Sequence, residues 1–318
     1  MVRRLFHHGA FHIDTIQLAR VNIVGSGSML PRRALGRQLR KMRLRAEMTQ
    51  AGAARAAETS PQTYGRLEDG LKTKVTDMAM NALCNAFCST DEERRTVLDL
   101  AREIRQSMGS DGGWWQAYAS AVPETFNHFI GLEESATGIS TWETVLIPGL
   151  LQTKEYRRAL LWSEFRDMPP DEVELSLEVV GLRQERLGEP DFQLEALIAE
   201  PALHSGIGGP GVFADQLSHL LDASRLPSVT MRVVRRDAKD PLGLIAGPFV
   251  VFSLPPMPTS RMRQPAVAYA EGYFGRVYIE GGSDVAMYTR AMERLRRVAY
   301  SVDESRDLVR EARKEWEQ

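Results

Sequence analysis

The run Met48-Thr49-Gln50, followed after one short helical span by Ser60-Pro61-Gln62-Thr63-Tyr64-Gly65-Arg66-Leu67-Glu68-Asp69-Gly70, decides how the first third of this 318-residue chain folds. Ser60 before Pro61 predicts a helix start: serine can accept an orphan backbone N–H, and proline at the first helical position has none to satisfy. Gly70 stops that helix near Asp69, because glycine takes positive φ without strain. Thr49 caps a shorter helix over Gln50 to Ala57, whose Ala53, Ala54 and Ala57 permit close helix approach, and Glu58-Thr59-Ser60 is the tight connection between the two. Tyr64 and Leu67 face the core.

Working outward, Leu35, Leu39 and Met42 recur at i, i+4 and i+7, which predicts an amphipathic helix over 34–45 with Arg37, Arg40, Lys41 and Arg43 in other directions and a basic outer face. Downstream, Met80, Leu83 and Phe87 mark one side of a helix over 76–87. Ser89 with Glu92, or Thr90 with Glu93, forms a capping box for a fifth helix through about Arg105. Residues 29–75 hold eleven basic and four acidic side chains, a net of +7, whereas residues 76–318 carry −11. A basic segment in front of an acidic body suits a polyanion-binding head on a domain that must avoid the same polyanion.

Two short helices joined by a three-residue turn form a helix-turn-helix arrangement, whose second helix enters the DNA major groove while the first crosses the backbone. The motifs Gly36-Arg37-Gln38-Leu39-Arg40, Met48-Thr49-Gln50 and Ser60 to Gly70 resemble the five-helix DNA-binding domain of phage-repressor and Xre-type regulators over about residues 34–88. Phe129-Ile130-Gly131-Leu132-Glu133, Leu146 to Thr153 (LIPGLLQT), Arg183-Gln184-Glu185-Arg186-Leu187, Gly247-Pro248-Phe249 and Tyr269-Ala270-Glu271-Gly272 resemble the C-terminal domain of an actinobacterial regulator family that includes WhiJ-like and Scr1-type antitoxin-like proteins. The resemblance implies cytoplasmic transcriptional control through double-stranded DNA, often beside a small acidic partner protein.

Carried onto this chain, the resemblance implies that Gln62, Thr63 and Arg66 read base edges, a glutamine bonding adenine and an arginine guanine. Gln50, Arg43, Lys72 and Lys74 would meet phosphates. With roughly four phosphate contacts per protomer, a homodimer's log K would fall with log salt at a slope of about −7. Thr63 has capping near Ser60 as its alternative, and Arg66 a salt bridge to Glu68 or Asp69. Pro61 stands where phage repressors can place a base-reading polar side chain, and Glu58 replaces a glycine common in the turn. Gly52 and Gly65 each weaken a helix by about 0.5 to 1 kcal/mol relative to alanine.

The fold class expected is therefore α+β: a flexible segment over residues 1–30, ending in Gly25-Ser26-Gly27-Ser28, an all-α five-helix DNA-binding domain over 31–106, and a larger mixed α/β domain for regulation and dimerisation over 107–318, beginning in a Gly/Ser linker at 107–113. In that domain the pattern predicts helices near 131–137, 154–162, 171–187, 212–224 and 284–301. Strands are expected at 194–198, 229–234, 249–252, 267–270 and 277–279.

Chemistry-bearing motifs are sparse. Gly206-Ile207-Gly208-Gly209-Pro210-Gly211 matches G-x-G-x-x-G, but Pro210 removes an N–H from the cradle and no clean strand precedes it, so it reads as a turn. Cys84 and Cys88 stand at i and i+4 on a helix and read as core rather than as ligands; no disulfide framework is expected from two cysteines. No catalytic residue, cofactor or metal is expected, nor any membrane span or signal-peptide core. Trp114, Trp115, Tyr118, Phe126, Phe129, Trp142, Tyr156 and Trp162 read mostly as core. An effector pocket would draw on Trp142 and Tyr156 with Arg183, Arg186 and Glu271 as polar anchors. Beside a DNA-binding regulator that senses a ligand or partner, two other classes stand: an antitoxin-like module sequestering a small acidic partner, and an enzyme acting on a nucleotide-like ligand in its second domain.

Overall fold

The computed structural model describes residues 29–107, 114–118, 124–259, 261–272, 275–280 and 282–317. Nearly all of the expected N-terminal segment, and the expected linker after Ser107, lie outside the described residues.

The head is built from α1 (Met29–Arg45), α2 (Gln50–Ala56), α3 (Pro61–Glu68), α4 (Asp77–Ala86) and α5 (Asp91–Ser107). Local sequence sets most of their ends. Thr49 Oγ1 accepts the Gly52 N–H at 3.1 Å, Ser60 Oγ that of Thr63 at 3.1 Å, and Thr76 Oγ1 that of Ala79 at 3.2 Å. Of the two capping boxes in the sequence, Thr90 with Glu93 is the one formed: Thr90 Oγ1 accepts the Glu93 N–H at 3.2 Å, and the Glu93 carboxylate accepts the Thr90 N–H at 3.1 Å. Leu35, Leu39, Met42, Tyr64, Leu83 and Phe87 are buried together. Gly36 lets α1 approach α3, since a Cβ there would stand 2.4 Å from the Glu68 carbonyl oxygen. Glu58, in the turn before α3, has φ 51, the left-handed conformation for which related turns use glycine.

The body comprises α6 (Glu124–Ser135), β1 (Gly138–Glu143), α7 (Lys154–Glu164), α8 (Pro170–Gln184), β2 (Gln193–Ala199), α9 (Pro210–Ala223), β3 (Val229–Val234), α10 (Leu242–Ala246), β4 (Phe249–Ser253), β5 (Val267–Gly272), β6 (Gly275–Glu280), α11 (Gly282–Val298) and α12 (Val302–Trp316). Its six-stranded sheet runs β3-β2-β1-β4-β5-β6. β1, β2 and β3 are parallel, while β4, β5 and β6 follow antiparallel to their neighbours. An all-helical N-terminal unit and a mixed C-terminal sheet with helices make the chain α+β.

Both faces of the sheet are covered, as strict alternation along the strands requires. Ile139, Leu194, Ala196, Ile198, Met231, Val233 and Phe252 belong to one core, which also takes in Leu203 and Phe213, Leu217 and Leu220 of α9. Trp142, Leu197, Val234, Phe249, Val251 and Ala268 point the other way, onto Ala291, Met292 and Leu295 of α11.

Several elements depart from the sequence reading: α6 spans Glu124–Ser135 where a helix near 131–137 is expected, and β1, the short α10 and α12 have no counterpart in it. β1 was not anticipated, although it lies in the middle of the sheet, because Gly-Ile-Ser-Thr-Trp-Glu carries no apolar run and gains its order from β2 on one side and β4 on the other. α12 was also missed: it buries Val309 and Ala312 and its capping box closes between Ser301 and Glu304. The glycine-rich stretch is a turn into α9. A Cβ at Gly208 would meet Val212 at 2.6 Å, and one at Gly206 the Trp316 ring at 2.6 Å, so these glycines serve packing.

Head and body meet through charged side chains of α1. Arg33 forms an ion pair with Glu280 of β6 and bonds His128 Nε2 of α6 at 2.6 Å. Arg37 lies 3.3 Å from the Glu280 carboxylate and donates to Gln264. Burial, then the neighbouring Arg33, holds the His128 imidazole down to about 3, so it stays neutral and can accept from Arg33.

Candidate functional site

α3 carries its apolar residues inward and its polar ones outward. Tyr64 and Leu67 are buried, while Gln62, Thr63 and Arg66 are exposed on one turn and the next. The serine cap extends to the Thr63 side chain, whose hydroxyl lies 2.8 Å from Ser60 Oγ, so the capping alternative for Thr63 is formed. Arg66 makes neither salt bridge expected as its alternative; it reaches the Lys72 carbonyl at 3.5 Å. Lys72 and Lys74 are exposed in the segment just past α3.

Two of the residues expected at phosphates are engaged within the head. Arg43 is 8% exposed and its Nε and terminal nitrogen grip the Glu68 carboxylate at 2.5 and 3.0 Å, with the Met48 carbonyl at 2.8 Å as a third acceptor. Gln50 donates its amide to the same carboxylate at 2.9 Å, and the Tyr64 hydroxyl does so at 2.8 Å. Burial alone would raise Glu68, but the bonds from Arg43, Gln50 and Tyr64 outweigh it and hold the carboxyl below its ordinary range. Arg43 and Gln50 thus tie α1, α2 and α3 together instead of facing outward. The basic outer face of α1 shrinks in the same way, because Arg33 and Arg37 are turned onto the body and Arg45 pairs with Glu93 at 2.5 Å.

The expected effector residues do not line one pocket. Trp142 stands on the α11 side of the sheet, its Nε1 donating to the Gly243 carbonyl at 3.1 Å. Arg186 is packed over Phe192 and donates to the Ala136 carbonyl at 2.8 Å. Tyr156, Arg183 and Glu271 lie on the opposite side from Trp142. The buried Tyr156 hydroxyl accepts the Ile147 N–H at 3.3 Å, Arg183 is paired with Glu133 at 2.6 and 2.9 Å, and Glu271 accepts from Tyr269 and Arg276 at 2.6 and 2.7 Å. A surface groove lies elsewhere, lined by Leu254, Pro256, Arg261, Arg263 and Gln264. Sequence reasoning passed over Glu143 and Arg157, which share the sheet side of Tyr156; the strand ending in Glu143 had gone unseen, and Arg157 reads as one of two adjacent arginines on an amphipathic helix. Trp162, expected in the core, is 45% exposed.

Cys84 is buried, but Cys88 lies past the end of α4 with φ 49 and is exposed, so the two do not share a helix face. Among the described residues no group of three or more His, Cys, Asp or Glu side chains could hold a metal, and no helix is long and apolar enough to cross a membrane.

A capped, outward-facing α3 set against α2 by a short turn defines a helix-turn-helix protein, and residues 34–97 match the helix-turn-helix domain family. Residues 126–311 match a domain of unknown function, DUF5753. This second match takes in more than half of the chain, and the chain belongs to the DUF5753 family. No curated protein and no solved structure matches it.

Proposed function

We propose that this chain is a cytoplasmic, homodimeric transcriptional regulator that binds double-stranded DNA in a sequence-specific manner and whose DUF5753 body receives a chemical signal rather than performing catalysis. The observation that carries the reading is the exposure of Gln62 and Arg66 on successive turns of α3, with Lys72 and Lys74 beside them and every large apolar side chain of α3 turned inward. Glutamine and arginine are the side chains that bond adenine and guanine edges bidentately. A dimer would place two α3 helices on half-sites about one helical turn, or a multiple of it, apart.

With Arg43 engaged by Glu68 and Gln50 uncharged, two lysines per protomer remain from the expected phosphate set. The salt dependence is accordingly shallower than the sequence suggested, a slope of about −3.6 for a dimer. The test selects binding sites from randomised duplex DNA with the full chain and measures their affinity by fluorescence polarisation. Replacing Gln62 and Arg66 together by alanine should weaken the selected site by about 30-fold or more while sparing non-specific DNA. Undiminished specific binding by that variant would remove α3 as the reading helix.

A further inference from the structure

A proline-rich connection, Leu254-Pro255-Pro256-Met257-Pro258, leads out of β4, and Arg261-Met262-Arg263-Gln264-Pro265 leads towards β5. Proline fixes φ, so the segment is stiff at both ends. Met257 is buried in the core and closes a turn: its N–H donates to the Met262 carbonyl at 2.9 Å, and its carbonyl accepts the Arg261 N–H at 3.0 Å. That turn holds Arg261 at φ 55, a left-handed conformation uncommon for any residue but glycine. Backbone held in this way is costly, persists where its surroundings over-determine it, and clusters at ligand sites.

The turn shapes the surface groove lined by Leu254, Pro256, Arg261, Arg263 and Gln264, about 480 Å³ in volume. A volume of that order suits a small organic molecule. Arg261 and Arg263 are exposed there, and neither guanidinium makes a hydrogen bond or ion pair among the described residues. Arginines of the adjoining helices are engaged: Arg33 and Arg37 of α1 with Glu280, and Arg105 of α5 with Asp77. The groove therefore offers two positive charges that the chain does not neutralise, beside the apolar surfaces of Leu254 and Pro256. It also borders the head. The Gln264 side-chain oxygen accepts from Arg37, and Glu103 of α5 accepts the Thr259 N–H at 2.5 Å.

We propose that this groove binds a small phosphate monoester, with Arg261 and Arg263 on its phosphoryl oxygens and Leu254 and Pro256 against its organic part. Two guanidiniums in one groove call for a dianion. A phosphate monoester carries about −1.5 to −2 near neutrality and presents three strong acceptor oxygens, which planar guanidinium forks grip in pairs. A simple carboxylate brings one charge only. The Gln264 amide nitrogen, engaged by nothing shorter than the Met262 carbonyl at 3.5 Å, is a third donor. This site rests on the reading of the body as the signal-receiving half. It also gives the signal a route, because Gln264 belongs both to the groove and to the contact that holds Arg37 of α1.

The experiment is calorimetric titration of the full chain, without DNA, using AMP, glucose 6-phosphate, glycerol 3-phosphate, orthophosphate, succinate and adenosine. At least one monoester should bind, more tightly than orthophosphate or succinate, and adenosine should not. Arg261→Gln and Arg263→Gln together should weaken that binding about 10-fold or more, while the unliganded variant keeps the parent's thermal midpoint, because both side chains are exposed. Binding by no monoester, succinate binding as tightly as the best monoester, or affinity unchanged in the double variant would each overturn the proposal. On DNA the same variant should keep the parent's affinity and salt slope; a shallower slope would put these arginines on the DNA backbone and overturn it equally. The Gln62, Arg66 double variant, measured on DNA alone, tests the regulator reading without touching the calorimetric result.

Discussion

Glu68 in the head and Glu143 in the body are both carboxyl groups withdrawn from water, and their surroundings are opposite. Glu68, 4% exposed, accepts from Arg43 twice, from Gln50 and from Tyr64. Glu143 accepts one bond at the long end of the range. The first is held ionised and below its usual range, the second is pushed up to about 7. The difference separates a carboxylate locked into the architecture from one that sheds its charge. A buried charge whose donors all come from its own chain fixes helices relative to one another, whereas a carboxyl left without them holds its proton instead.

The largest expected effect comes from breaking the complete cluster. Glu68→Ala leaves the Arg43 guanidinium buried without its anion and should cost about 3 to 5 kcal/mol of stability, read from urea unfolding followed by circular dichroism. A loss of only a few tenths would mean that the cluster is not what holds α1, α2 and α3 together.

A smaller and opposite effect is expected at the incomplete site. Glu143 keeps its proton in the folded chain up to about 7, whereas in the unfolded chain it ionises near 4.3. The unfolded state therefore binds fewer protons between those values, and stability falls as pH rises through that window, levelling off above it. Glu143→Gln removes this dependence and should be more stable than the parent at pH 8, by roughly 1 to 3 kcal/mol, and about equal to it at pH 4. Denaturation midpoints of both proteins across that range decide the matter; parallel curves would show that Glu143 is ordinary.

The smallest effect sharpens the comparison beside Glu68 itself. A Cβ at Gly65 would stand 3.7 Å from the Gln50 amide oxygen, an ordinary contact. Gly65→Ala should leave the cluster intact and stabilise the head by about 0.5 to 1 kcal/mol through helix propensity, seen as a small rise in thermal midpoint. Destabilisation there would mean that Gln50 has no room to yield.

Much of the head was legible because its signals are local. Thr49, Ser60-Pro61, Thr76 and the Thr90, Glu93 pair each act within one helical turn, and Leu35, Leu39 and Met42 announce their face by spacing alone. The outward roles of Gln62 and Arg66 came from the resemblance to Xre-type regulators, and α3 exposes both side chains. Illegible were the destinations of charged side chains. Arg43 looks in sequence like its neighbours Arg40 and Lys41, yet its acceptor lies on α3, and the partner of Arg33 and Arg37 lies at the far end of the chain, in β6.

What the sequence by itself determined was the set of short-range events: where helices start and stop, which faces are apolar, and that a capped α3 follows a tight turn. Tertiary structure alone decided that β1 is a central strand, that Trp142 and Tyr156 fall on opposite sides of the sheet, and that Arg43 is spent on Glu68. Periodicity and capping act over a few residues along one segment, whereas strand order and charge pairing depend on which distant segments are brought together, and no local pattern encodes that choice.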